Sequence, residues 1–306
     1  MVKGKVLVTD RIHSDGLDMM REAGLQVDYK PDISHDDLIG IVDQYDALVV
    51  RSRTKVGKDV LRAAKNLKVI GVSGVGVDNV DVREAEKRRI SVESSPSASS
   101  VTVAEMAFGL MIALARRIPL GFESLKEGRW LKDEILGTQL FGKTIGIVGF
   151  GRIGSRVAER AKAFGMNILV HKRRPDERLR ELGAKLVPLE ELLANSDFVT
   201  LHVPLTDETY HMIGEEELRR MKSSAYLINT SRGKVVDTRA LLRALREGWI
   251  AGAALDVYER EPPGDLTLLK MPNVVCTPHI GAQTTEAFRG NSTTIARKII
   301  RSLGGD

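Results

Sequence analysis

The sequence predicts an α/β protein built from two doubly wound domains with parallel sheets, and three observations point there. The chain is 306 residues long, which is about two domains at roughly 100–200 residues each. Short apolar runs alternate with amphipathic stretches, the rhythm of βαβ units. One small polar segment, Ser94-Ser-Pro-Ser-Ala-Ser-Ser100, breaks that series, which then starts again.

In the first series Val6–Thr9, Ala47–Val50 and Val69–Val72 read as buried strands, while Asp15–Ala23, Asp36–Val42, Lys58–Lys65 and Val82–Arg89 carry helical spacing. Beyond the polar segment, Val101–Ala115 reads as a buried helix whose single acid, Glu105, caps or pairs. The second series places strands at Thr144–Val148, Asn167–Val170, Phe198–His202, Ala225–Ile228, Ala253–Asp256 and Val274–Cys276. Ligands of doubly wound folds gather at the carboxyl ends of the strands. The candidate functional residues are therefore those just past these runs.

Composition narrows the classes. With 42% hydrophobic and 28% charged residues, and 28 Gly and 10 Pro spread along the chain, neither a disordered polymer nor a fibre fits. The longest apolar stretch, Met106–Ala115, falls far short of the roughly 20 residues a membrane span needs, and the start MVKGKVLVTD has no signal-peptide pattern. The expectation is a cytoplasmic protein with no membrane partner. A single cysteine, Cys276, excludes an internal disulfide and reads as a packed strand thiol; without CxxC or HExxH spacings, no metal site is expected. The formal charge of +5 suits nucleic acid or a small anion. Aromatics are only 5% and no finger or recognition-helix pattern is present, so nucleic acid is not an expected partner.

Two phosphate motifs compete. Gly149-Phe-Gly151-Arg152-Ile153-Gly154 follows a strand and opens a helical stretch. Gly149 permits the tight turn, Gly151 the close approach of backbone to a pyrophosphate, and Gly154 the packing of helix on strand, so a dinucleotide site is expected. Gly137-Thr-Gln-Leu-Phe-Gly142-Lys143-Thr144 spells the G-x-x-x-x-G-K-[ST] loop, yet it leads into a strand and not a helix, the wrong context for a nucleotide triphosphate. An acid at the end of the second strand would select NAD(H). Here His171-Lys172-Arg173-Arg174 stands instead, with Asp176 a turn too late, so NADP(H) is expected to serve at least as well as NAD(H).

Arg232, Glu261 and His279 each follow a strand of the second series. Together they offer an anion binder, a carboxylate and an imidazole, the set needed to polarise a carbonyl and move a proton. At this point the sequence resembles the D-2-hydroxyacid dehydrogenase family of NAD(P)-dependent enzymes. The likeness covers essentially the whole chain and rests on the glycine motif, Gly74-Val75-Gly76-Val-Asp78-Asn79-Val80-Asp81, Thr230-Ser231-Arg232-Gly233, Ala253-Ala-Leu-Asp256-Val257 with Glu261-Pro-Pro263, and Pro278-His279-Ile-Gly281. It implies that Arg232 holds the substrate carboxylate, His279 is the general acid/base and Glu261 orients it. It further implies cofactor contacts from Val203, Pro204, Thr230, Ser231, Asp256, His279 and Gly281. The implied layout is two Rossmann-like domains: a flavodoxin-like substrate domain of residues 1–95 plus 284–306, and an NAD(P)-binding domain of 96–283 inserted into it.

Within the family, Val49-Val-Arg51-Ser52-Arg53-Thr54-Lys55-Val56 and the segment from Gly128-Arg-Trp130 to Lys143-Thr144 resemble the branch that oxidises 3-phosphoglycerate at the start of serine synthesis. That likeness implies substrate contacts from Arg51, Ser52, Val75, Gly76 and Arg232, with Lys132 reaching in from the partner subunit of a homodimer. The dimer surface is expected around Val101–Ala115 and Trp130. Two departures favour the alternative of a glyoxylate or hydroxypyruvate reductase: Val72 stands where many members carry Arg, and Ser95–Ser100 lacks the usual Asn and Gly. A dehydrogenase-like corepressor is a remote third reading. The sequence ends shortly after Leu303, so no appended regulatory module is expected.

Overall fold

The computed structural model describes residues 3–304. They form two compact units, Met1–Ser100 with Ala282–Asp306, and Val101–Gly281. The crossings fall a few residues away from the expected 95/96 and 283/284. The shift at the first crossing has a physical reason, because buried Ser99 accepts a hydrogen bond from Asn291 Nδ2 (2.8 Å) and so belongs with the C-terminal helix.

The first unit is a five-stranded parallel sheet of β1 (Lys5–Val8), β2 (Gln26–Tyr29), β3 (Ala47–Val50), β4 (Val69–Val72) and β5 (Ser91–Ser94), in the order β2-β1-β3-β4-β5. The apolar runs of β1, β3 and β4 occupy its middle, and β3 and β4 are buried throughout. The sequence reading missed β2 and β5. Both are edge strands, Gln-Val-Asp-Tyr and Ser-Val-Glu-Ser, and their half-exposed polar residues hide them from a search for apolar runs. The helix Thr285–Ser302 packs on this sheet through Ile295, Ala296 and Ile299, each fully buried. Burying each isoleucine is worth about 1.5–3 kcal/mol. Gly71 makes room for them, since a Cβ there would lie 2.8 Å from Ile295 Cγ2.

The second unit is a seven-stranded parallel sheet: β6 (Thr144–Val148), β7 (Asn167–His171), β8 (Lys185–Leu186), β9 (Phe198–Leu201), β10 (Tyr226–Asn229), β11 (Gly252–Leu255) and β12 (Val274–Cys276). Its order, β12-β11-β10-β9-β6-β7-β8, reverses direction between β6 and β9. That switch point is where a doubly wound sheet opens a crevice for ligands. The helix Ser100–Ala115 lies against it, burying Ala104, Ala107, Phe108, Met111 and Leu114 with Ile145 and Ile147 of β6. Glu105 faces outward and pairs with Arg160 at 2.8 Å. Cys276 ends the edge strand β12 only half-buried, and that burial pushes its thiol pKa up. Among the described residues no helix is long and apolar enough to cross a membrane.

Candidate active site

The glycine turn after β6 is built by contact as well as by torsion. Gly149 sits at φ +95°, and a Cβ there would lie 2.5 Å from the His202 carbonyl oxygen. A Cβ on Gly154 would come within 2.1 Å of the Gly149 oxygen, so the helix Arg152–Ala163 can approach β6 only without one. Gly151, by contrast, has no heavy atom within 4 Å of where its Cβ would stand. It caps that helix with no side-chain acceptor, leaving the N–H groups of the first turn and an open space before them. Two buried polar atoms nearby lack partners among the described residues: His202 Nδ1 past β9 and Thr230 Oγ1 past β10. These features fit a dinucleotide lying across the switch point, with Val203 and Pro204 following His202 along the same edge. The competing motif does not build a phosphate loop, because Lys143 runs straight into β6.

The basic strand end is more neutral than its sequence suggests. Asp176, which spacing put a turn too late, folds back to accept from Lys172 Nζ at 2.7 Å and from Arg178. Hydrogen bonds from Arg178 first, then Lys172, hold its carboxyl far below the usual range. Arg173 pairs with Glu208 in an exposed contact. Arg174 is exposed and makes no ion pair among the described residues, and His171 Nδ1 faces the Val187 carbonyl at 3.3 Å.

Arg232, Glu261 and His279 come together in the second unit. Asn229, at the end of β10, shapes the first loop: its Oδ1 accepts from the Ser231 N–H and hydroxyl, and its Nδ2 donates to the Arg232 carbonyl at 3.0 Å. The Arg232 guanidinium donates to the Ser231 carbonyl. His279 holds a left-handed φ of +53°, unusual for a residue with a Cβ. Buried Asp256 stabilises that turn by accepting from Thr277 Oγ1, Ile280 N–H and Gly281 N–H at 2.6–2.8 Å. Glu261 Oε2 lies 2.7 Å from His279 Nδ1, and Glu261 Oε1 accepts from the Tyr258 N–H. That carboxylate hydrogen bond raises the His279 pKa above its ordinary value, against burial and Arg232, which work to lower it. Burial works to raise the Glu261 pKa, but the His279 bond, the Tyr258 N–H and the nearby Arg232 charge together hold it low. The pair is thus an imidazole whose protonated form is favoured by the carboxylate at Nδ1, beside a carboxylate whose ionised form is favoured in return.

The first unit presents a different set. Past β1, the buried Asp10 carboxylate accepts from the Arg51 N–H, the Thr54 N–H and Arg53 Nε. Asn79 Nδ2 donates to the Arg51 and Thr54 carbonyls at 2.7 and 2.8 Å. Together they freeze the loop after β3. The Arg51 guanidinium reaches Gln283 Oε1 at 3.4 Å and lies 5.2 Å above the Phe288 ring. Ser52 and Val75 are exposed, and the N–H groups of Val75 and Gly76 make no hydrogen bond among the described residues. Lys132, in the second unit, is exposed and unpaired among the described residues.

Comparison with known proteins decides the family. The profile for the D-isomer specific 2-hydroxyacid dehydrogenase NAD-binding domain matches residues 108–281, which include the whole of the second sheet. The chain belongs to that family. It is 47% identical over 304 residues to a D-3-phosphoglycerate dehydrogenase of Methanocaldococcus jannaschii, covering 99% of this chain and 58% of that protein. It is also 47% identical over 316 residues to a glyoxylate reductase of Thermococcus litoralis, covering 100% of this chain and 95% of that protein. Among solved structures, Aquifex aeolicus D-lactate dehydrogenase, complexed with NAD and lactic acid, matches with a TM-score of 0.85 at 33% identity, over 96% of this chain and 94% of that one. Equal identity to relatives with different names leaves the substrate to the side chains. The nicotinamide cofactor follows from the family itself.

The sequence alone assigns no role to Asp10, Gln283 and Phe288 in the first unit, nor to Asn79 in the first and Asn229 in the second, although Asn79 stands within the Gly74–Asp81 motif and Asn229 directly before Thr230–Gly233. Asp10 and Asn229 could have been found, because each stands at or just past the carboxyl end of a strand, where the reading looked only for groups with obvious chemistry.

Proposed function

We propose that this protein transfers a hydride between a nicotinamide dinucleotide and the C2 of a small 2-hydroxy/2-oxo acid. The observation that carries this reading is the 2.7 Å contact of His279 with Glu261, which also feel the charge of Arg232, in the unit that holds the glycine cradle. The bound cofactor would supply or accept the hydride. In the reductive direction negative charge grows on the substrate oxygen; His279 Nε2 gives it a proton, and Arg232 provides the cation that stabilises charge and grips the carboxylate. Glu261 keeps the imidazole oriented and favours its protonated form. The glycine cradle, with Thr230, Ser231, Val203, Pro204 and Asp256, would hold the dinucleotide.

For the substrate we favour 3-phosphoglycerate and its 2-oxo product. Arg51, fixed by Asp10 and Asn79, and the free N–H groups of Val75 and Gly76 are groups that pair a desolvated anion. A glyoxylate or hydroxypyruvate reductase is the second reading, supported by buried Val72 where an additional cation would serve a phosphate. The cations Lys172, Arg173 and Arg174 support use of NADP(H) beside NAD(H), although Asp176 and Glu208 offset two of them. A cytoplasmic homodimer completes the reading. Its support is the run of exposed Phe122, Leu125, Trp130, Leu136 and Phe141 in one stretch of sequence, and Lys132 would serve the partner's site. Initial rates with 3-phosphohydroxypyruvate, hydroxypyruvate and glyoxylate, each with NADH and NADPH, test the proposal. A strong preference for the phosphorylated acid supports the first substrate, indifference to phosphate supports the second, and no reduction of any of them defeats both.

A further inference from the structure

Two histidine–carboxylate pairs flank the short loop Tyr258–Glu261. One is His279 with Glu261. The other, His211 with Glu259, has no part in the chemistry above. His211 sits at φ +50°, its ring stacked on Tyr210 with centroids 4.1 Å apart. Its buried Nε2 makes no hydrogen bond among the described residues but lies within ion-pair distance of Glu259 Oε2, at 3.4 Å, and its Nδ1 lies 3.9 Å from Asp237 Oδ2. The second Glu259 oxygen accepts the Thr238 N–H at 2.8 Å, at the start of the helix Thr238–Arg246 that Asp237 caps.

The backbone around His211 grips the other catalytic loop. Its N–H donates to the Lys234 carbonyl at 2.8 Å, two residues past Arg232, and the Ile213 N–H donates to Val235 at 3.1 Å. Between Arg232 and Lys234, Gly233 rests directly on the Tyr258–Glu261 loop: a Cβ there would fall 1.9 Å from the Tyr258 carbonyl carbon. The Tyr258 N–H in turn donates to Glu261. His211 therefore holds the stretch after Arg232 by its backbone and the loop leading to Glu261 by its ring.

We propose that His211 and Glu259 are positioning residues whose contact clamps the Tyr258–Glu261 loop onto the Arg232 turn and so fixes Glu261 against His279. The proposal deepens the dehydrogenase reading and rests on it for the rate effect, but the state of His279 can be measured without turnover. His211→Asn keeps the left-handed backbone, which Asn tolerates, while its short side chain no longer reaches Glu259. Glu259→Gln keeps the shape and removes the charge. The His279 ring is titrated by NMR in the full chain without cofactor, its resonance assigned by loss in His279→Gln. In both variants its midpoint should fall toward the ordinary histidine value. The kcat for 2-oxo acid reduction should fall about 5–10-fold with the cofactor KM unchanged, a barrier change of about 1 kcal/mol. An unchanged His279 midpoint and unchanged kcat in the folded variants overturn the proposal, as does a rise in cofactor KM that tracks the loss in kcat. Loss of the fold in both variants also overturns it, since the contact would then be structural. A wild-type protein that reduces no 2-oxo acid sinks the dehydrogenase reading, while the NMR titration still decides whether the clamp exists.

Discussion

The two parallel sheets both direct functional groups to their carboxyl ends, but with opposite electrostatic character. In the first, charge is fixed: Asp10 is buried and fully engaged, Arg51 remains a cation although burial lowers its pKa, and the Val75 and Gly76 turn offers backbone N–H groups. In the second, charge moves: an imidazole with a raised pKa stands against a carboxylate with a lowered one, beside an arginine. One sheet is suited to holding an anion and the other to exchanging a proton. This division predicts that substitutions in the first unit act on KM and those in the second on kcat.

The largest expected effect tests the proton-exchanging side. His279→Ala should lower kcat for reduction by about 10²–10⁴-fold, the usual contribution of a positioned general acid. Arg232→Ala should cost about 10²–10³-fold, comparable to removing one donor to a developing oxyanion. Circular dichroism should remain normal, because both side chains are partly exposed and neither fills a core. If either variant retained near-normal kcat/KM, the division of labour would be wrong.

The holding side gives a smaller effect. Arg51→Ala removes a charge-assisted hydrogen-bonding group worth about 1.5–3 kcal/mol, so KM for a phosphorylated substrate should rise about 10–100-fold with kcat largely kept. The loop itself should survive, since its anchor to Asp10 is the backbone N–H, which alanine retains. A matching loss of kcat would show that the first unit takes part in the chemical step.

The pH dependence sharpens the contrast further. On the proposed mechanism His279 is protonated for reduction, so that rate should be full at low pH and fall as pH rises through a midpoint above the ordinary histidine value; oxidation should rise over the same interval. Glu261→Gln removes the largest cause of the shift, and the fall should move to lower pH. The same raised pKa contributes folding stability that is present at low pH and lost as pH rises through it, a small effect for a half-exposed pair. A reduction profile that is identical in wild type and Glu261→Gln would remove Glu261 from the mechanism.

The division of the two sheets was only partly legible in the sequence. The interior strands were readable because burial on both faces favours runs of Val, Ile, Leu and Ala, as in Ala47–Val50 and, with Gly71 among them, Val69–Val72. The edge strands β2, β5 and β8 were not, since nothing compels an edge to be apolar. The glycine motif stood out because its residues are constrained by contacts as short as Gly154 against Gly149, which no other side chain satisfies. Asp10 stayed hidden, and Asn79 was visible only as a letter of a motif, because a polar side chain that props a loop looks in sequence like any surface acid or amide. Asp176 shows the opposite failure: the count along the chain was right, but a turn brought the carboxylate back onto Lys172.

That return leads to the smallest effect, on cofactor choice. Lys172, Arg173 and Arg174 favour a 2′-phosphate only to the extent that their own acids leave them free. Arg173 and Glu208 are both mostly exposed, 72% and 71%, and such a pair contributes about 0–1 kcal/mol to stability. Glu208→Gln should therefore leave Tm unchanged while releasing Arg173, and the ratio of kcat/KM for NADPH over NADH should rise about two- to five-fold, the size of one screened surface charge. Asp176→Asn should act in the same direction through Lys172, but with some loss of stability, because Asp176 also accepts from the Arg178 N–H and side chain as the chain enters its next helix. If both substitutions left the cofactor ratio unmoved, the basic strand end would be a solvated surface, and the fixed charge that matters to this protein would lie in the first sheet alone.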